Sequence, residues 1–463
     1  MENDWPIMTL GKLCPTITDG AHQSPKSVAL GMPMASVKDL TRFGVDVEGA
    51  RKISKEDFDF LVRQGCKPQI GDVLIAKDGN SALDTVCTVI GDPGYVLLSS
   101  VAILRPDRDL LDSNFLKYYF CSEQTLDYLK SNFISGAAIP RVILKAFKKA
   151  EISLPPLPKQ KAIAHILGSL DDKIELNRRM NATLEGMAQA LFKSWFVDFD
   201  PVIDNALEAE NPIPEEFAAR AETRSKTLAD RTANREAAKN FPAAFYETEE
   251  MGWIPEGWDV KPLGEIATIL NGYAFKSQDY TDSGIFVLRT KNFDANGLSS
   301  RRTDDVFLPE EFLESHETYL SQPFDFHLVM VGASVGKTSL LLPHILPALR
   351  NQNMWCFRPK VNFRSRTLLN LSVQKKVEDV MSWASGSARS FFRKSDFKSH
   401  EILVPSDDAM LVFENMAGPL FLDISNRSAE SENLSKLRDT LLPKLISGEL
   451  RIEDAKKLAE EIQ

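Results

Sequence analysis

SGAAIPRVILKAFKKAEISLPPLP, residues 135–158, and SGSARSFFRKSDFKSHEILVPSDD, residues 385–408, are two versions of one passage. Each opens on Ser-Gly and closes on a short strand-like run, ISLPPLP or EILVPSDD. Working outward, SSVAILRPD around Arg105 and Pro106 has its counterpart in NQNMWCFRPK around Arg358 and Pro359. DWPIMTLGKLCPTITDG near the start is matched by GWDVKPLGEIATILNG after residue 250, so that Trp5, Leu10 and Gly11 answer to Trp258, Leu263 and Gly264. Glycines, a proline and apolar runs returning in one order indicate an internal repeat with a period of about 250 residues.

Both copies follow one plan. A globular segment comes first, with strand-like runs such as Asp72 to Ala76, Tyr95 to Leu104 and His327 to Val331, separated by turns rich in Gly, Asp and Asn. The last strand runs into a long helical segment. Pro158 suits a first helical turn, where its missing N–H costs nothing, and Ser406 with Asp407 and Asp408 supplies a cap and first-turn acids. In the first helix Ile163, Leu167, Leu170, Ile174, Asn177, Asn181, Leu184, Ala188 and Leu191 fall on a 4-3-4 spacing that keeps one stripe toward a partner. Leu420, Ile424, Arg427, Ser431, Leu434, Arg438 and Leu441 take the corresponding steps in the second. Both stripes turn polar in the middle, which costs stability and disfavours slipped registers. With Arg427, Ser431 and Arg438 on its seam, the second helix is expected to pack loosely or to depend on partners. The alternative to a helix pair is a plain core helix beneath each domain.

The expected boundaries are 1–157 for the first globular domain, 158–200 for the first helix, 201–252 for an unrepeated connector, 253–405 for the second domain, and 406–463 for the second helix and tail. The connector holds the polar, alanine-rich AARAETRSKTLADRTANREAAKNF and reads as a surface passage.

A chain of 463 residues needs two or three cores, and 43% hydrophobic with 26% charged residues is an ordinary folded composition. The five cysteines (Cys14, Cys66, Cys87, Cys121, Cys356) show no CxxC pair and read as free thiols of a reducing compartment. No secretory leader and no apolar stretch of membrane length is visible, so a cytoplasmic location is expected. A net charge of -10 speaks against a protein wrapped by nucleic acid on all sides, though a basic surface can be local or belong to a partner.

GASVGKTS, residues 332–339, resembles a phosphate-cradling loop but has three residues where that loop needs four before its Gly-Lys pair. The six histidines (His22, His165, His316, His327, His344, His400) make no metal-ligand spacing, and no nucleophile elbow, dinucleotide loop or adenine-methyltransferase motif is present. No catalytic, cofactor-binding or metal-binding residue is therefore expected. Groups suited to DNA contact are Lys38, answering to Lys291; Lys77, in the same turn region as Lys337 and Thr338; and Ser135, Arg141, Ser385 and Arg389 in the Ser-Gly turns. Arg105 and Arg358, each after a strand and before proline, read as fasteners of a domain edge.

The order of parts resembles the specificity subunit of bacterial type I restriction-modification enzymes. The telling pieces are ISLPPLPKQKAIAHILGSLDDKIELNRRMNATLEGMAQALFKSWFVDFDPV from Ile152, MGWIPEGWDVKPLGEIATILNGYAF from Met251 and LSKLRDTLLPKLISGELRI from Leu434. The resemblance implies an α/β (α+β) fold: two tandem target recognition domains, separated by long antiparallel coiled-coil helices and related by a pseudo-twofold repeat. It implies a non-catalytic subunit that reads a bipartite site in double-stranded DNA, docks two modification subunits and joins restriction/motor subunits, with no membrane role. S-adenosylmethionine, ATP and Mg would sit on those partners, with no cofactor on this chain. The competing reading is a tandem-domain protein-interaction scaffold without sequence-specific DNA binding, which the acidic charge favours.

Overall fold

The computed structural model describes residues 5–135, 140–230, 234–383 and 392–460. It divides into two compact units, Met1–Asn177 with Glu430–Gln463, and Arg178–Ala429. Each unit joins an α/β domain to parts of two long paired helices, Leu157–Phe196 and Asp407–Ser447.

In the first unit a four-stranded antiparallel sheet runs in the order Thr16–Asp19, Val101–Arg105, Val73–Ala76, Val86–Thr88. Val73–Ala76 is buried throughout, and Val101–Arg105 in all but its last residue. Both faces are covered, so these strands read as continuous apolar runs and not as an alternation. One face, with Leu74, Cys87 and Ile103, packs with Ala35 and Leu97 of a three-stranded sheet ordered Arg51–Ile53, Met32–Ala35, Val96–Leu97, whose second pairing is parallel. The other face, with Val73, Ile75 and Leu104, shares a core with Ile163, Leu167 and Leu170 of the first long helix and with Leu434 and Leu441 of the second. The entry strand Ile7–Thr9 pairs antiparallel with the exit strand Glu151–Ser153, so the domain closes where it opened.

The second unit repeats this plan strand for strand. Its sheet order is Ala267–Asn271, Met354–Pro359, Phe326–Val329, Thr338–Leu340, beside Phe307–Leu308, Ile285–Leu288, Ala348–Arg350. Again the last pairing is parallel, and the entry strand Asp259–Pro262 meets the exit strand Glu401–Val404. Two details mark the duplication. Arg105 grips Asp72 with two bonds of 2.8 Å, and Arg358 grips Asp325 at 2.9 and 2.7 Å, in each case locking the end of a central strand to the loop before its neighbour. Gly20 and Gly272 cannot carry a side chain: a Cβ would lie 2.2 Å from the Leu97 carbonyl oxygen in one unit and 1.7 Å from that of Asn351 in the other.

Within each unit the two helices run in opposite directions. In the first, Asn177 donates to Glu430 at 2.7 Å and to Ser431 at 3.2 Å, while Asp171 meets Arg438. In the second, Asn181 donates to Ser428 at 3.0 Å, and Leu184 and Ile424 join one core with partly buried Leu191 and Leu420. Ile174 is partly buried against the first unit's core. Arg438 does not loosen the seam. It is 8% exposed and bonds Asp171 at 2.8 Å, so the cation reaches a buried carboxylate rather than splaying the helices.

A left-handed residue follows each long helix, Phe199 (φ 56°) three residues past Phe196 or Gly448 (φ 74°) directly after Ser447, and a nine-residue helix comes next, Asp200–Glu208 or Ile452–Glu460. The segment after residue 201 is thus more than a surface passage. Val202 and Ile203 are wholly buried, Arg220 and Arg224 clamp Asp200 and Asp204, and Phe241 packs edge-on at 5.0 Å from Trp195. Alanine-rich composition hides this, because burial rests on a few acids and aromatics outside the helical run. The five cysteines are free, and among the described residues no helix is long and apolar enough to cross a membrane.

Candidate nucleic-acid interface

Lys38 and Lys291 sit in the middle of matching 3-10 turns, Val37–Asp39 and Thr290–Asn292. The turns are closed alike: Ser36 N–H donates to the Asp39 carboxylate at 2.8 Å, and Arg289 N–H to the Asn292 side-chain oxygen at 3.1 Å. Lys38 is exposed; Lys291 is half-buried and held by Asp304 at 2.6 Å.

The turns at 76–85 and 329–338 also match, each with left-handed residues at the same two places, Gly79 and Leu83 or Gly332 and Gly336. Lys77 and Lys337 stand at opposite ends of this turn, so they are not equivalent. Lys77 is buried and ion-paired with Asp19, which removes it from any surface contact with DNA. Lys337 is exposed but turns its ammonium back onto the Phe293 carbonyl, and Thr338 begins a strand. GASVGKTS therefore leads into a sheet and not into a helix N-terminus, and its shape is the one AKDGNSALD takes in the first unit.

Ser135 and Arg141 lie directly opposite each other in a two-stranded hairpin, both exposed. Val142 N–H donates to the Lys77 carbonyl at 2.9 Å, and Arg141 pairs with Asp78 at 2.9 Å. Lys77, Ser135 and Arg141 are thereby brought into one region, together with Asp19 and His22, which are 3.1 Å apart. Asp19, Asp78 and His22 carry no motif that marks them in the sequence. Ser385 and Arg389 lie outside the described residues.

In the second unit Lys337 shares an open groove of about 520 Å³ with Glu185, Gln189, Asp294, Asn296 and Gln374. Burial pushes the Glu185 and Asp294 carboxyls up, and Asp294 adds to the push on Glu185. One cation faces two acids, so this groove disfavours phosphate.

Asp325, His327 and Cys356, all buried, each bring a ligand-type atom within 4.8 Å of the others. They do not fit a metal ion. Asp325 is committed to Arg358, Arg350 adds a second buried cation, and burial, with Asp325, pushes the Cys356 thiol far up. The first unit has the same ion pair, Asp72 with Arg105, and carries Leu74 opposite Ile103 where the second has His327 opposite Cys356. The pair is a core substitution beside a structural salt bridge.

Among the described residues the titratable clusters of both units resolve into ion pairs, and each α/β domain of the repeat continues into the paired helices. The family model described as Type I restriction modification DNA specificity domain matches residues 2–186 and 255–409, and the chain belongs to that family. It is similar to the Type I restriction enzyme HindI specificity subunit of Haemophilus influenzae, 28% identical over 384 residues, covering 77% of this chain and 81% of that protein. The Type I restriction enzyme MjaIX specificity subunit of Methanocaldococcus jannaschii is 25% identical over 350 residues, 75% of this chain and 71% of that one. The crystal structure of a type I restriction-modification S subunit from M. genitalium shares the fold, with a TM-score of 0.54 at 16% identity over 96% of both chains. The chain is accordingly a specificity subunit: it recognises DNA and works with modification and restriction subunits, and it is itself non-catalytic.

Proposed function

We propose that this chain reads a bipartite site in double-stranded DNA, one block through each α/β domain, with the paired helices fixing the gap between blocks. The observation that carries this is the duplication itself: two domains of one topology. Lys38 and Lys291, Ser135 and Arg141, Thr338, Ser385 and Arg389 are the proposed DNA-facing groups from the sequence. Lys77 acts from inside as a support for the Arg141 hairpin, and Lys337 is poorly placed for phosphate. Two modification subunits would dock on the helices and carry S-adenosylmethionine, and restriction/motor subunits would supply ATP and Mg chemistry. Domain boundaries near residues 157, 200, 252 and 405 belong to the same proposal.

The test is co-expression with the neighbouring modification subunits and mapping of adenine methylation in cells with and without this chain. A methylated motif of two short blocks around a fixed gap, present only with the chain, is the expected result. A stable complex with no motif, or a continuous motif, contradicts the proposal.

A further inference from the structure

The basic residues of this acidic chain are unevenly spread. Residues 351–400 hold ten Lys or Arg against three Asp or Glu, and residues 101–150 hold eight against five. In both repeats part of this excess gathers at one joint, where the turn before the exit strand meets the turn after the entry strand. In the first unit Leu10 and Gly11 N–H groups donate to the Ala150 and Lys148 carbonyls, each at 2.8 Å. In the second, Leu263 N–H donates to the His400 carbonyl at 2.8 Å, and a Cβ on Gly264 would lie 3.2 Å from that of Lys398. Lys148 and Lys398 thus occupy the same joint, 250 residues apart.

Around Lys148 stand Lys145 and Lys149, at i−3 and i+1 on the helical turn Leu144–Phe147 and its cap, and Lys12, next to Gly11. All four are exposed, and none has an acid within ion-pair distance among the described residues. Glu151, exposed, follows Ala150 at the same joint, so four cations stand against one acid and leave a net positive field. Around Lys398 stand Lys360, which bonds the Gly264 carbonyl at 2.7 Å, and Lys394, which bonds Asn271 at 3.1 Å. Burial and the neighbouring Lys398 charge both pull the Lys394 ammonium down, which records the crowding of like charges. Glu265, exposed, stands in the second unit at the place of Lys12, and Asp396, exposed, lies between Lys394 and Lys398 on their helix, so the second field is the weaker.

We propose that these two shoulders, Lys12, Lys145, Lys148 and Lys149 in one unit and Lys360, Lys394 and Lys398 in the other, grip the DNA phosphate backbone and supply the sequence-independent share of binding. The inference rests on the reading of this chain as a DNA-recognition subunit, and it locates a surface that the motif-bearing turns do not. In the first unit the short helical turns leave all four lysines exposed on flexible stems, which suits point contacts to phosphate and not the reading of base edges. Neutralising phosphates releases counterions, so the signature is a salt dependence shared by all duplexes.

The experiment uses the full complex with its modification subunits, wild type against K145Q/K148Q/K149Q, binding duplexes with and without the mapped motif over a range of salt. The slope of log affinity against log salt is expected to fall by about 2 to 3, since each phosphate that is no longer neutralised takes about 0.9 from it. The fall should be equal on both duplexes, with the methylated motif unchanged. An unchanged slope overturns the proposal. So does failure of the variant to join its modification subunits, which would make the shoulder a protein-docking surface. If wild type itself shows no preference for any motif, the recognition reading fails, while the slope on non-specific duplex still decides whether the shoulder touches phosphate.

Discussion

Asp171→Ala should destabilise the first unit by about 3–5 kcal/mol, because it strands buried cations. The Asp171 carboxylate is 2% exposed and accepts from Arg438 at 2.8 Å, Tyr118 hydroxyl at 2.8 Å, Lys117 at 3.2 Å and Arg42 at 3.3 Å. These donors come from the second long helix, the helix Ser113–Cys121 and the hairpin Leu40–Val45, so one acid ties three elements to the first long helix. Without it Lys117 and Tyr118 lose their buried acceptor, and Arg438 keeps only the exposed Asp439. Replacing the cations as well, in Asp171→Ala/Lys117→Met/Arg438→Met, should recover most of the loss, since an apolar set of similar volume avoids the desolvation penalty. The second unit shows that solution: 250 residues away in each direction, the places of Asp171 and Arg438 are held by Phe421 and Ala188. Urea unfolding of the three proteins is the check. A single variant as stable as wild type would deny the hub its role.

Acid acts on the same group. Burial pushes the Asp171 carboxyl up, but Arg42, Lys117 and Arg438 together outweigh it and hold it at about 2, against an ordinary 3.8. A folded value below the unfolded one means the stabilisation is complete above pH 3.8 and disappears as pH falls through 2, about 2 kcal/mol in all.

His327 sets a second, milder window in the other unit. Its imidazole has no exposed surface, and burial, helped by Arg350 and Arg358 against Asp325 and the Ser339 backbone, pushes it down to about 4 from 6.5. The unfolded chain therefore takes up a proton first as pH falls. Stability is unaffected above 6.5 and declines between 6.5 and 4, by about 2 kcal/mol at pH 5 and about 3 kcal/mol at pH 4. His327→Leu, the residue of the first unit at this place, removes that decline while filling a similar volume. Unfolding midpoints of both proteins at pH 7.5 and pH 5 test it: the variant should gain on wild type at the lower pH, and parallel losses would contradict the assignment.

Much of the fold is legible because duplication is a property of order along the chain. Ser-Gly turns, the Arg-Pro strand ends and the exit strands recur at one period, and the 4-3-4 stripe from Ile163 to Leu191 identifies the helix pair. The Arg105 and Arg358 fasteners are readable too, although their acids, Asp72 and Asp325, lie some 33 residues earlier in the chain. What sequence does not give is partnership at a distance. Lys77 reads as a surface lysine in a Gly-Asn turn, and only Asp19, at the end of a strand two places across the sheet, pairs with its charge. Asp171 follows Leu170 as an ordinary helical acid, and nothing local says that three cations converge on it. The shoulder lysines do not stand out in the sequence because charge runs are common, and only their return at the same joint gives them weight.

In the proposed function, two domains of one fold read DNA separately. Exchanging the second domain, residues 253–405, for that of another specificity subunit and mapping adenine methylation in cells tests it most directly. One block of the methylated motif should change while the other block and the gap stay as they were; a motif in which both blocks change, or neither does, would rule out separate reading.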